Sequence, residues 1–210
     1  LIGNDIIDLQ TAAAESNWRR PGYLGKIFTP QEQDWIFQSP DPDITVWYLW
    51  SAKEAVYKIV NRTTNERKYA PLAYVCTDIG TLFHQVLQKI TSCTLPEPSN
   101  PITKSGSPLH KNTHTITSED SPVHKSRGLI TISAGKLLHE NTTYYFTSYI
   151  TPQYLHTIAV TNPAHFPLIS ITTDPSIPYQ KDTQGKPMVD NRPISVSHHG
   201  RYYAMVKALI

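Results

Sequence analysis

An acid and a base stand four residues apart, Glu54 and Lys58, in the stretch Trp50-Ser51-Ala52-Lys53-Glu54-Ala55-Val56-Tyr57-Lys58. On a helix, residues at that spacing share a face, so Trp50, Glu54 and Lys58 line up along one edge. A carboxylate on a rigid helix can ligate a hard cation such as magnesium. A lysine one turn further on can meet a phosphate held by that cation. Glu before Lys at this spacing is also the commonest stabilising surface pair, so the helix alone carries no function. Other acids must join it. Asp5 and Asp8 end the opening stretch Leu1-Ile2-Gly3-Asn4-Asp5-Ile6-Ile7-Asp8-Leu9. They are three apart and converge only if a strand turns after Ile6 or Ile7. The competing use is capping of the next segment, and it suits Asp8 better than Asp5.

The elements that must position these groups follow from the pattern. Leu1 to Leu9 reads as a short strand, with Gly3 permitting a close backbone approach. Residues 10–28 hold Arg19, Arg20 and Lys26 around a Pro21-Gly22 turn, a solvated face or one that meets a phosphate or an acidic protein. Thr29-Pro30-Gln31-Glu32 opens a helix with a capping box and should stop before Ser39-Pro40. Asp43 is placed to cap the long helix over Ile44 to Val60, whose Val46, Leu49, Val56 and Val60 form a packing face. Lys53 is turned about a hundred degrees from Glu54, towards phosphate or solvent. Strands are predicted at Tyr74-Val75-Cys76, Leu129 to Ser133, Tyr144 to Ile150, Leu155 to Thr161, Ile169 to Thr173, and on both sides of His198-His199-Gly200-Arg201. Leu82 to Ile90 reads as helix or strand. The stretch 95–127 is rich in Pro, Ser, Thr, Asn and His and cannot bury a core, so it is expected to be a mobile insert. Its His110, His114 and His124 lack metal-site spacing. The hairpins Tyr149 to Val160 and Ser195 to Val206 are weakly alike, a hint of two related halves.

Composition bounds the function. Lys+Arg number 19 against 17 Asp+Glu, which gives no reason for a nucleic-acid partner. No apolar run is long enough to span a membrane, and no secretory segment precedes the first strand. Cys76 and Cys93 fit no zinc or redox spacing. The chain therefore reads as cytoplasmic.

Three separated pieces resemble one family, the 4′-phosphopantetheinyl transferases. Ile2-Gly3-Asn4-Asp5 is similar to its (I/V)-G-x-D motif. Trp50 to Lys58 is similar to W-S-x-K-E-A-x-x-K. Gly185-Lys186-Pro187 with Ser197-His198-His199-Gly200 is similar to its G-K-P and S-H-x-G pair. The resemblance implies transfer of the phosphopantetheine arm of coenzyme A to a serine of an acidic apo carrier protein, with release of adenosine 3′,5′-bisphosphate. Such chemistry serves fatty-acid, polyketide or peptide assembly, and depends on positioning and charge neutralisation. By resemblance Asp5 and Glu54 are magnesium ligands, with Asp8 a further metal candidate. Lys58, Lys186 and His198 meet the coenzyme's phosphates, with Ser197 and Arg201 as weaker contacts. Glu54, or a water on the magnesium, takes the serine proton.

The motif order is that of the small holo-acyl-carrier-protein synthases, in a longer chain. Ile7 stands where larger members often carry a second acid. Asn61-Arg62-Thr63-Thr64 stands where glycines often follow the last lysine. The implied fold is α+β, a single domain over 1–210 made of two similar halves, each a small antiparallel sheet with a helix against it. One chain carrying both halves suggests a monomer, with a trimer as the small-synthase alternative. The competing function is a non-catalytic protein of this fold that binds coenzyme A or a carrier protein.

Overall fold

The computed structural model describes residues 1–65, 67–80 and 131–209. The expected insert at 95–127, with its histidines, and the ambiguous stretch 82–90 lie outside them. The described part is α+β and contains two antiparallel sheets. Strand β1 (Ile2–Asp8) leads into helices α1 (Leu9–Glu15), α2 (Tyr23–Ile27), α3 (Pro30–Gln38) and α4 (Pro42–Thr64). Then come β2 (Tyr74–Asp78), β3 (Thr131–His139), β4 (Thr142–Ile150) and β5 (Tyr154–Val160). The C-terminal part is all strand apart from a 3-10 turn at Pro163–Leu168. It comprises β6 (Ile169–Thr172), β7 (Gln180–Lys181), β8 (Pro187–Val189), β9 (Arg192–His199) and β10 (Tyr202–Ala208). The first sheet has the order β1-β5-β4-β3-β2 and the second β6-β10-β9-β8-β7. All the described α-helices precede β2, so the helix expected over the second sheet is not among the described residues.

Helix α3 begins as its sequence dictates. Thr29 Oγ1 accepts from the Glu32 N–H and Glu32 Oε2 accepts from the Thr29 N–H, which closes the capping box. Helix α4 starts differently from expectation. Asp41 caps it by accepting from the Ile44 N–H at 3.0 Å, and Pro42 takes the first turn. Asp43 lies inside that turn and instead takes the Trp18 indole N–H and both arms of Arg19. Either aspartate offers the right side chain, and the fixed φ of Pro42 selects the residue before it.

The apolar face of α4 buries Val46, Leu49, Ala52, Val56 and Ile59 against the first sheet, with Phe146, Ile150 and Leu155 in the same core. Lys53 lies in this packed region and is fully buried. Its ammonium donates to Glu32 Oε2 at 2.8 Å, to the Tyr74 carbonyl at 2.6 Å and to the Pro71 carbonyl at 3.1 Å. The expectation of phosphate or solvent for Lys53 is thereby corrected. Angle around the helix separates it from Glu54, but only the folded chain reveals that α3 supplies a buried carboxylate on that side. Strand β1 also lies hard against α4. A Cβ at Gly3 would fall 1.9 Å from the Ala55 carbonyl oxygen, so only glycine allows this strand–helix distance.

The two sheets meet along β1. One edge of β1 pairs with β5, with Asp5 opposite Thr157. At the other edge the N–H groups of Asn4, Ile6 and Asp8 donate to Ser195 Oγ, Ser197 Oγ and His199 Nδ1, at 2.9, 3.0 and 2.9 Å. Alternate side chains of β9 thus satisfy alternate backbone donors of β1, and neither group is left unpaired at a buried seam. Asn4 extends the seam by donating its side-chain N–H to His156 Nε2 and to the Ala204 carbonyl. Burial holds His156 neutral, with a pKa of about 4.

Candidate active site

The seam positions the chemical groups because the middle of β1 faces the middle of α4 there. A cavity of about 210 Å³ opens at this point, lined by Asp5, Trp50, Glu54, His198 and His199 among others. Asp5 and Glu54, distant in sequence, share this one cavity.

Asp5 is held from two sides. Ser197 Oγ, which accepts from the Ile6 N–H, donates its own O–H to Asp5 Oδ1 at 3.0 Å. Lys58 Nζ lies 3.5 Å from the same oxygen and donates to the Asn4 carbonyl at 2.7 Å. It also reaches the Val196 carbonyl of β9 at 3.5 Å, so this one ammonium ties α4 to both sheets. Glu54 makes no hydrogen bond or ion pair among the described residues. Burial pushes its carboxyl up to about 7, the negative charge of Asp5 adds to the rise, and Lys58 opposes it. Two carboxylates facing one space, one of them short of compensation, form a donor set of the type a hard divalent cation takes. Among the described residues no group of three or more His, Cys, Asp or Glu side chains gathers around one point.

Asp8 is put to another use. Its buried carboxylate caps α1 through the N–H groups of Gln10 and Thr11. It also takes the backbone N–H, Nε and Nη2 of Arg201. Arg201 holds this carboxyl well below the usual carboxylate range. Strand β1 does not turn after Ile7, so Asp8 is not brought back to Asp5, and its lone pairs are spent. Arg201 is committed to the same pair. The turn residue Gly200 has φ +53°, and a Cβ there would sit 2.5 Å from Asp8 Oδ2 and from Thr11 Oγ1. Gly200→Ala should cost about 1–3 kcal/mol of stability, seen as a lower urea midpoint. An unchanged midpoint would show that the Asp8–Arg201 lock tolerates displacement.

Lys186 stands elsewhere again. Its ammonium donates to the carbonyls of Asn61 and Arg62 and to Gln184 Oε1, which caps the last turn of α4 with a positive charge. A second cavity, of about 150 Å³, is lined by Lys58, Arg62 and Lys186 with Ser195 and Val196. Lys58 lines this second cavity, and its ammonium lies 3.5 Å from Asp5, which lines the first.

His198 is exposed on β9 and borders the acid cavity. Its neighbour His199, which was not singled out from sequence, borders the same cavity. Because His199 Nδ1 accepts from the Asp8 N–H, the neutral ring carries its proton on Nε2. The period-two run Ser195, Ser197, His199 was the available signal for it. Arg62 belongs to the stretch that replaces the glycines often following the last lysine. It donates to the carbonyls of Pro187 and Ile194 and so fastens α4 to the second sheet.

Residues 1–95 match the family model of the 4′-phosphopantetheinyl transferase superfamily. That match holds β1, with Asp5, and the whole of α4, with Glu54 and Lys58. The α+β arrangement in two sheets is consistent with the two-half fold of a phosphopantetheinyl transferase. A phosphopantetheine transferase function is supported in general, with coenzyme A as substrate, a divalent metal and a carrier protein as the superfamily's usual requirements. No curated protein and no solved structure matches the chain. No helix among the described residues is long and apolar enough to cross a membrane.

Proposed function

We propose that this protein moves the 4′-phosphopantetheine arm of coenzyme A onto a serine hydroxyl of an apo carrier protein, in the manner of a holo-acyl-carrier-protein synthase, and releases adenosine 3′,5′-bisphosphate. The observation that carries the reading is the acid pair: Asp5 on β1 and Glu54 on α4 border one cavity, with Lys58 beside Asp5. Asp5 and Glu54 are the residues to hold Mg2+. Asp8, spent on Arg201 and on α1, is not among them. A cation in this place supplies neutralisation of pyrophosphate charge.

The chain's own groups do the rest. Ser197 and Lys58 hold Asp5 in place. Lys58, beside Asp5 and on the wall of the second cavity, faces the phosphates, and Arg62 and Lys186 add positive potential along that cavity. His198 donates to phosphate oxygens from the far wall. Glu54 would help hold the cation, and its carboxylate is the group to accept the proton of the attacking serine. The site works in a cytoplasmic setting on an acidic carrier, and a single chain supplies all these groups.

Intact mass of apo carrier proteins of the fatty-acid, polyketide and peptide-synthetase types, after incubation with the protein, coenzyme A and Mg2+, tests this. A phosphopantetheine gain on at least one carrier, lost when Mg2+ is chelated, is the expected result. Coenzyme A binding that ignores Mg2+, with no gain on any carrier, would make the protein a non-catalytic binder.

A further inference from the structure

Three buried polar atoms have no hydrogen-bond partner among the described residues: Asn4 Oδ1, Tyr69 OH and Tyr203 OH. A buried hydroxyl in that state costs about 1–3 kcal/mol, so each calls for a reason. Tyr69 is the one that lies against the helix face carrying Glu54. It follows α4 and folds back on it, with its ring edge-on to Trp50 at 5.9 Å between centroids and tilted on Tyr57 at 4.8 Å. Trp50 is four residues before Glu54 and Tyr57 three after, so the two flank it on the helix surface. A ring that touches both lies over the same patch as the Glu54 side chain. Tyr74 backs the ring at 5.6 Å and fixes its place.

The electrostatics agree with this placement. Burial raises the Tyr69 phenol most, and the charges of Glu54 and then Asp5 raise it further. The oxygen therefore feels both carboxylates and keeps its proton, so it can act as a donor. Glu54, for its part, has no donor among the described residues.

We infer that the Tyr69 hydroxyl donates to the Glu54 carboxylate once the cavity is loaded, and holds that carboxylate turned towards Asp5. Tyr69 is then a positioning residue. It touches neither coenzyme nor carrier and acts through Glu54. The inference rests on the function proposed above, and it deepens the account of that site. The aromatic contacts with Trp50, Tyr57 and Tyr74 hold the phenol in place for that bond.

The test compares wild type, Tyr69→Phe and Glu54→Gln as full chains. Mn2+ binding, read from the electron-spin resonance of the free ion, is measured beside kcat, the KM for coenzyme A and the urea midpoint. Tyr69→Phe should weaken Mn2+ binding about 10-fold and lower kcat about 10-fold, with the KM for coenzyme A changed less than about 2-fold. Its urea midpoint should hold or rise, since the unpaired hydroxyl is gone. A merely structural tyrosine would lower the midpoint and leave Mn2+ affinity alone. Equal Mn2+ affinity and equal kcat in Tyr69→Phe overturn the inference, even where wild type transfers efficiently. Weaker Mn2+ binding in Tyr69→Phe, with no transfer by wild type to any carrier, keeps Tyr69 as the orienting group and removes the transferase reading. No Mn2+ binding by wild type overturns both.

Discussion

Glu54→Gln is expected to lose transfer by about 100- to 1000-fold or more and, at neutral pH, to resist urea better than wild type. The first effect follows from its place. The amide keeps the shape but removes one of the two charges facing the cavity. The second follows from linkage. Burial and Asp5 raise the Glu54 carboxyl to about 7 in the folded chain. An acid raised on folding adds most to stability below its unfolded value, and that contribution declines as pH rises through the folded value. Wild type should therefore lose up to roughly 3 kcal/mol from this group between about pH 4.5 and pH 7, and Gln should not. The gap between the two proteins should be near zero at about pH 4.5 and full by about pH 8. Urea titrations at several pH values check it, and Mg2+ should narrow the gap by relieving the same repulsion. A Glu54→Gln protein that is both inactive and less stable at pH 8 would mean that Glu54 supports the fold and is not held under electrostatic stress. This pairing of lost activity with gained stability is what separates a working acid from a structural one.

The second large effect falls on the neighbouring residue and has the opposite character. Lys53→Met should destabilise the protein by about 3–5 kcal/mol. The loss leaves Glu32 fully buried without its cation, and strips a donor from the carbonyls of Pro71 and Tyr74. Glu32 also accepts from the Cys76 N–H at 2.8 Å, so this one carboxylate joins α3, α4 and the middle of β2. Adding Glu32→Gln to Lys53→Met should restore part of the loss, because no buried charge then remains. Urea unfolding of the single and double variants gives both values. A cost below about 1 kcal/mol for Lys53→Met would show that water reaches Glu32 and that the pair is not buried in solution. Two adjacent residues of one motif thus divide the work. Lys53 fastens the helix inside, and Glu54 presents charge at the seam.

Local chemistry was legible in the sequence where the cause is local. The capping box of Thr29 and Glu32, the packing face of α4, the hairpin around His198 to Arg201 and the need for glycine at position 3 all arise from neighbours in the chain or from helical and strand periodicity. The cap on α1 was also readable, since Asp8 immediately precedes its first residue. The placement of Glu54 and Lys58 along one helix edge belongs to the same class, although the ammonium of Lys58 turns to Asp5 and not to Glu54.

What depended on tertiary structure is who meets whom across long separations. Spacing put Lys53 away from Glu54, but it could not show that α3 would bury a carboxylate there, because that contact exists only once the two helices pack together. Lys186 and Arg201 are basic residues in a motif-bearing region, and sequence alone offered phosphate as their partner. The fold gives them the end of α4 and the Asp8 carboxylate instead. The seam between β1 and β9 joins residues about 190 positions apart, and its polar complementarity exists only when two sheets dock. The acid cavity is set by that same docking. Residue types determined which acids and bases the chain carries and which of them share a helix edge. The packing of β1 between α4 and β9 decided that Asp5 lines one cavity with Glu54, and that Asp8 is left to hold the turn.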